Sequence, residues 1–186
     1  MPKIKVIQHD EATGRLKEIY DDLVKKRGKL AEVHKIQSLR PESIIRHMDL
    51  YMEIMFSKSL LSRAEREMMA VVTSSFNGCA YCQIHHIEAL KHYWKDDIKI
   101  AALQLNFGNA GLSDREKALC RYAEQLTKLN NPEENTDYID LLKAIGLQDE
   151  AILDATLVVS YFNFVNRMVL ALGVEVSEKE KSGYNY

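Results

Sequence analysis

Apolar residues recur along this chain every three or four positions rather than at every second one. Near the start, Leu16, Ile19, Tyr20 and Leu23 show this spacing. Such a period places apolar side chains on one face of an α-helix, whereas a half-buried strand would alternate apolar and polar residues. We find no credible alternating run, so the sequence predicts an all-α fold without a sheet.

Local signals for helix starts agree with this prediction. Pro41 suits a first helical turn, and Ser62 with Glu65 forms a capping box that Ser113 and Glu116 repeat. Together with the periodicity, these signals predict about seven to eight helices. Their approximate ranges are 10–27, 41–57, 62–76, 79–94, 96–106, 113–129, 136–145 and 148–172.

Length and charge exclude several classes of protein. The chain has 186 residues, with 25 Lys and Arg against 27 Asp and Glu, and no linker-like segment. We therefore predict one domain, residues 1–186, large enough to bury a core without disulfides or metals. The near-neutral charge, without a basic cluster, argues against nucleic acid and anionic membranes as partners.

The cysteines are too few for a disulfide scaffold. There are three, Cys79, Cys82 and Cys120, and we see neither a signal-peptide pattern nor a membrane-spanning run. We therefore expect a cytoplasmic protein, in which Cys79-x-x-Cys82 indicates redox chemistry or metal binding. Cys120 is predicted to be a buried helix residue.

The segment around the cysteine pair carries the candidate site. Asn77-Gly78 suits a tight turn between two helices, so Cys79 and Cys82 lie in a first helical turn, where the helix dipole stabilises a thiolate. Residues three and four apart share a helix face, so His86 follows Cys82 by one turn, while His85 points elsewhere.

Glu67 lies on the preceding helix. An antiparallel pair of helices would bring it near His86, where its carboxylate could orient the imidazole and raise its basicity. A zinc site is an alternative, with Cys79, Cys82 and His86 as ligands and Glu67 as a fourth, but no second ligand pair from a separate loop or helix is visible. A pair of buried structural thiols is the other alternative, and a thioredoxin fold would need a strand before the pair.

The pattern Glu67-x11-Cys79-x2-Cys82-x3-His86 resembles the active-site signature of the AhpD-like alkylhydroperoxidase branch of the carboxymuconolactone decarboxylase family. The sequence segments 62–67 and 77–82 resemble those of its peroxidase-related subgroup in particular. Further likeness lies in the C-terminal helix, at 162–167 and 172–174.

This resemblance implies an all-helical homo-oligomer that reduces hydrogen peroxide or small organic hydroperoxides without haem or another cofactor. By position, Cys82 attacks the peroxide and Cys79 resolves the sulfenic acid as a disulfide, which an external thiol then reduces. His86 is the base and Glu67 its relay partner. The best-known members carry a histidine where this chain has Tyr81.

Other expectations stay open at this point. The helix dipole favours Cys79 as the thiol of lower pKa, but we expect His86 to make it Cys82. The alternative functions are a lactone decarboxylase or isomerase and a non-enzymatic dithiol sensor.

Asn163, Asn166 and Arg167 share one face of an apolar helix, which predicts a structural or interface network.

Overall fold

The computed structural model describes residues 1–128 and 138–176, and in this part of the chain all regular structure is helical. The predicted all-α fold is confirmed. The α-helices are α1 (Gly14–Arg27), α2 (Glu32–Lys35), α3 (Pro41–Phe56), α4 (Arg63–Phe76), α5 (Ala80–Trp94), α6 (Asp97–Asn106), α7 (Asp114–Lys128), α8 (Tyr138–Ala144) and α9 (Asp149–Leu172). A 3-10 turn, Phe107–Asn109, follows α6.

Each of the eight predicted helices is present. The prediction for α1 began about four residues too early, because Thr13 is still extended. Residue 129 of the range 113–129, and residues 136 and 137 of the range 136–145, lie outside the described residues. The single turn α2 was missed, since four residues are too few to show a helical period.

Helix α4 is the centre of the fold. Nine consecutive residues, Arg66–Ser74, are buried, although the helix also has a polar start. A helix that is buried all round must be covered on every side by other elements. Here α5, α7 and α9 pack against it, with further contacts from α3 and α6. Side chains of α4 can therefore reach most of the molecule's interior.

Two arginines of α4 hold the end of α3. The last carbonyls of a helix lack partners within it and need donors from elsewhere. Arg66 Nη1 donates to the carbonyl oxygens of Ile54 and Ser57, both at 3.1 Å, and Arg63 Nη1 donates to that of Met55 at 2.9 Å. These bonds fix the C-terminus of α3 against the start of α4.

A network of amides joins α9 to the corner between α4 and α5. Asn77 Nδ2 donates to Asn163 Oδ1 at 3.0 Å and to Asn166 Oδ1 at 3.1 Å. Asn166, which is fully buried, donates to Ser74 Oγ at 3.2 Å, and Arg167 donates to Asn163 Oδ1 at 2.6 Å. The structural network predicted for this polar face of α9 is confirmed.

Helix α9 is the one helix in the described residues whose length and composition would let it cross a bilayer. Ten of its residues, from Ala151 to Val169, are buried against the rest of the chain, which is typical of a core helix. Its apolar character is therefore explained by its packing.

Replacing Asn166 by Ala should destabilise the fold. The change removes the acceptor of Asn77 and the donor to Ser74 in the interior, and an unsatisfied buried polar group costs about 1–3 kcal/mol. We expect urea unfolding to show a loss of roughly 2 kcal/mol in the free energy of unfolding. The exposed Asn109→Ala is the control, and equal stability of both variants would contradict the role of the network.

Candidate active site

The two cysteines lie at a sharp corner between α4 and α5. Gly78 has φ +65°, a left-handed conformation that glycine adopts without strain, and Cys79 N donates to Ser74 O at 2.9 Å. Cys79 is the N-cap of α5 and Cys82 lies in its first turn. The predicted turn and helix start thus bring both sulfurs to the N-terminal end of α5.

Both thiols are free and buried, with relative exposures of 0% for Cys79 and 3% for Cys82. Their sulfurs are 2.7 Å apart and share a hydrogen bond. That bond lowers the pKa of the Cys79 thiol, because it stabilises the Cys79 thiolate. The same neighbour, together with burial, raises the pKa of Cys82.

The order of the two pKa values is opposite to the prediction from the sequence, which gave the lower one to Cys82. Proximity to His86 along the helix was the basis of that prediction, but no His86–Cys82 hydrogen bond is found among the described residues. Hydrogen bonding with Asn166 does lower the pKa of Cys82, but Cys79 and burial outweigh it. The lowered pKa of Cys79 comes from its hydrogen bonding with Cys82, which neither sequence argument considered.

Glu67 joins His86 to Arg63. Its Oε2 accepts a hydrogen bond from His86 Nδ1 at 2.7 Å, and its Oε1 accepts one from Arg63 Nε at 2.9 Å. The structure thus places Glu67 against His86, as the antiparallel arrangement of α4 and α5 suggested. Because an ionised carboxylate can only accept, His86 Nδ1 carries the proton of this bond, and Nε2 is the ring nitrogen that faces other partners.

The Glu67 carboxylate has no exposed surface. Burial by itself raises its pKa, but the neighbouring His86 and Arg63 outweigh burial and hold the pKa of Glu67 below its usual value. A buried carboxylate that stays ionised between two donors fixes the ring orientation of His86. Such an arrangement is typical of a base held by a third group.

A cavity of about 100 Å³ lies beside Cys82 and His86. Cys82 and His86 line it, whereas Cys79 and Glu67 are not among its lining residues. The cavity therefore gives direct access to one sulfur of the pair only. Its wall also contains Arg27, Lys29, Ala31, Val33, His34, His47, Met48, Tyr51, Tyr81, His85, Ala89, Tyr161, Phe162 and Val165.

Several residues of the cavity wall were not predicted from the sequence. Burial lowers the pKa of His34 to about 3 and that of His47 to about 4, so both rings are neutral at physiological pH. Tyr161 on α9 lies next to His47, with 2.6 Å between His47 Nε2 and the Tyr161 hydroxyl oxygen. These residues come from three separate helices and share no motif, so no sequence signal joins them.

His85 does not point away from the site. It lines the same cavity as His86, and its ring lies 4.5 Å from that of Tyr81, centroid to centroid. Burial lowers the pKa of His85 to about 4. The 100° rotation between neighbouring helix positions therefore puts His85 on another wall of the cavity rather than outside it.

The third cysteine takes no part in this site. Cys120 is fully buried in α7, as predicted, and burial raises its pKa. Among residues 1–128 and 138–176, no group of three or more His, Cys, Asp or Glu side chains is arranged to hold a metal ion. The reactive side chains of the described site are two thiols, an imidazole and a carboxylate.

Comparisons with known proteins show a related family and similar folds. Residues 42–125, which contain Glu67, Cys79, Cys82 and His86, match the model of the Carboxymuconolactone decarboxylase family. The resemblance predicted from the sequence is confirmed: the chain matches that family model and is similar in structure to AhpD-like and peroxidase-related proteins.

Three solved structures illustrate the likeness. A peroxidase-related protein from Silicibacter is 26% identical with a TM-score of 0.82, and the match covers 97% of this chain and 96% of that one. One with an alkylhydroperoxidase AhpD core from Ralstonia eutropha is 23% identical, with a TM-score of 0.83 and coverages of 96% and 93%. A variant of the debrominase Bmp8 in complex with 2,3,4-tribromopyrrole is 16% identical, with a TM-score of 0.77 and coverages of 96% and 95%. The last two show the fold alone.

Replacing Glu67 by Gln should destabilise the protein in a pH-dependent way. Its pKa lies below the usual 4.5, so the ionised group stabilises the folded chain above that pH, and this stabilisation is lost as the pH falls through the folded-state pKa. At pH 7 we expect Glu67→Gln to lose roughly 3 kcal/mol of unfolding free energy.

Urea unfolding at pH 7 and at pH values below 4.5 checks this. The difference between the native chain and Glu67→Gln should shrink on acidification. The control is Glu53→Gln, which changes an exposed carboxylate on α3. A difference that is small at pH 7, or that grows in acid, would be incompatible with an ionised Glu67 between Arg63 and His86.

Proposed function

We propose that this protein is a thiol-dependent peroxidase that reduces hydrogen peroxide or small organic hydroperoxides. One observation carries the proposal: a pair of buried thiols 2.7 Å apart, of which only Cys82 lines a cavity, beside a histidine oriented by a buried carboxylate. The AhpD-like fold and the similarity to peroxidase-related proteins support a function of this class.

The first step is the attack of Cys82 on the peroxide. The two thiols share a hydrogen bond, so when one proton leaves, the remaining one can pass between the sulfurs. Cys79 has the lowered pKa and loses its proton more readily, and Cys82 becomes the thiolate when its own proton moves to Cys79. The sulfur of Cys82 then bonds to one peroxide oxygen, the O–O bond breaks, and its electron pair stays on the leaving oxygen. His86 Nε2 receives the first proton and returns it to that oxygen.

The second step forms the disulfide. The Cys79 sulfur attacks the sulfenic acid on Cys82, water leaves with the Cys79 proton, and the S–S bond closes before further oxidation. Overall, two thiols and ROOH give a disulfide, ROH and water. An external thiol must reduce the disulfide, so the proposal places the protein in a reducing compartment, the cytoplasm.

The alternative functions use this arrangement less fully. A lactone decarboxylase or isomerase needs no redox pair, and the close contact of the two sulfurs would then have no role. A dithiol sensor would oxidise once and release its signal through a partner, so it would not consume peroxide continuously in the presence of a thiol. Repeated turnover separates the peroxidase from the sensor.

Reductive debromination is a second candidate, because aromatic rings form much of the cavity wall. Tyr51, Tyr161 and Phe162 line it, and the structurally similar Bmp8 is a debrominase. The same dithiol could supply both electrons, giving a disulfide, bromide and the debrominated ring. Bromide release from 2,3,4-tribromopyrrole with dithiothreitol as reductant would test it directly.

We also propose that the chain forms a homo-oligomer, as the resemblance implies. Large apolar side chains on the outer face of α9 are exposed to solvent, among them Leu153 at 57% and Phe164 at 52%. A second copy of the chain packed on this face would cover them.

The cysteine variants should separate the two thiol roles. Reduced protein treated with one equivalent of tert-butyl hydroperoxide should lose two hydrogens, and peptide mass spectrometry should locate a Cys79–Cys82 disulfide. Cys82→Ser should not turn over peroxide. Cys79→Ser should stop at a Cys82 sulfenic acid, which dimedone traps, because no resolving thiol is within reach.

Cys120→Ser is the matched control, because it removes a buried thiol away from the pair and should keep full turnover with dithiothreitol. Continued turnover by Cys82→Ser would disprove the assignment. Both native thiols remaining reduced under excess hydroperoxide would equally exclude a peroxidase.

His86→Gln should slow the reaction without abolishing the fold. The variant lacks a titratable base at Nε2, and the loss of general acid–base catalysis costs about 10²–10⁴ in rate. We expect kcat/KM for tert-butyl hydroperoxide to fall by roughly 100-fold, with the disulfide still forming slowly. His92→Gln, at the far end of α5, is the control, and a rate for His86→Gln equal to that of the control would contradict the role of His86.

A further inference from the structure

The hydroxyl of Tyr161 is oriented by a chain of hydrogen bonds that begins at Gln37. Gln37 Nε2 donates to the carbonyl oxygen of Val33 at 2.9 Å. A carbonyl oxygen can only accept, so this contact fixes which end of the Gln37 amide is the NH₂ group. The second hydrogen of that group is directed at His47 Nδ1, 2.7 Å away.

His47 therefore has a defined tautomer. Its Nδ1 accepts from Gln37, and the ring is neutral because burial lowers the pKa of His47 to about 4. The ring proton must then be on Nε2, which donates to the Tyr161 hydroxyl oxygen at 2.6 Å. Tyr161 is thus an acceptor in this bond, and its own hydrogen is left for another partner.

No acceptor for that hydrogen is found within residues 1–128 and 138–176. Tyr161 lines the cavity that Cys82 and His86 also line, on the opposite helix α9. Burial keeps its phenol protonated by raising the pKa well above the usual value. The cavity thus holds a neutral, oriented donor that the dithiol chemistry described above does not use.

We propose that Tyr161 donates a hydrogen bond to the leaving oxygen of the peroxide, and that His47 and Gln37 are positioning residues that keep its hydrogen directed into the cavity. This inference rests on the proposed peroxidase function. As Cys82 bonds to one oxygen and the O–O bond breaks, negative charge develops on the other oxygen, and Tyr161 stabilises it. Tyr161 keeps its proton, while the proton removed from the dithiol completes the alcohol.

A test follows from the nature of the leaving group. Alkoxide leaving from tert-butyl hydroperoxide is a strong base and needs this donor, whereas acetate leaving from peracetic acid does not. Tyr161→Phe should therefore lower kcat/KM for tert-butyl hydroperoxide by about 100-fold and leave the reaction with peracetic acid nearly unchanged. A variant that is merely misfolded would slow both reactions together.

Tyr122→Phe is the matched control. Tyr122 is equally buried, but its hydroxyl pairs with Thr156 Oγ1 at 2.6 Å on the other side of α9, away from the cavity. Gln37→Glu is a second variant that keeps Tyr161. Its carboxylate would draw the ring proton of His47 to Nδ1, so that Nε2 accepts the Tyr161 hydrogen. It should reproduce the selective loss with the alkyl hydroperoxide.

A binding measurement separates this inference from the peroxidase proposal. Dimethyl sulfoxide, a small acceptor with no donor, should bind the reduced protein, and NMR titration should show roughly 3- to 10-fold weaker binding to Tyr161→Phe. If Tyr161→Phe binds dimethyl sulfoxide more weakly but the native chain does not turn over peroxide, the peroxidase proposal is refuted and Tyr161 is still the hydrogen-bond donor of the cavity. Equal or absent binding, or an equal loss with both oxidants, would overturn the inference.

Discussion

The site depends on one buried carboxylate. Glu67 has no solvent contact, yet it stays ionised because Arg63 and His86 each donate to one of its oxygens. Losing either donor would leave one oxygen of this buried charge without its partner. Arg63 also donates to the carbonyl oxygen of Met55 in the last turn of α3. The contacts from Met55 through Arg63 and Glu67 to His86 therefore link α3, α4 and α5. The geometry of His86 is therefore supported by the core packing around α4 rather than by a surface loop.

The two thiols show that acidity and access are separate requirements. Cys79 is the thiol with the lowered pKa, because hydrogen bonding with Cys82 stabilises its thiolate, but it does not line the cavity. Cys82 lines the cavity but has a raised pKa. In the proposed peroxidase reaction, the proton of Cys82 moves to Cys79 across a sulfur–sulfur distance of 2.7 Å. The more acidic thiol and the thiol that meets the peroxide are then different residues of the pair.

Much of the fold could be predicted from the sequence, because its signals are local. Helical periodicity and the capping boxes gave eight of the nine described helices. The positions of Cys79, Cys82 and His86 followed from helix phase, and Glu67 from the antiparallel corner. The pKa order was wrong, since it depends on a contact between two sulfurs that helix phase does not show. The cavity wall could not be predicted either: His47 and Tyr161 are 114 residues apart and meet only through tertiary packing.

The histidines of the cavity wall other than His86 are uncharged at neutral pH. His34, His47 and His85 all have lowered pKa values, of about 3 to 4, so none carries a positive charge at neutral pH. They offer no cation to an oxygen that becomes negative as a peroxide bond breaks. The cationic side chains of the wall are Arg27 and Lys29, and oriented dipoles add to them, because dipoles act strongly where water is excluded. In the proposed reaction Tyr161 is a dipole of this kind, and the bond from Gln37 to His47 Nδ1 leaves the Tyr161 hydrogen directed into the cavity.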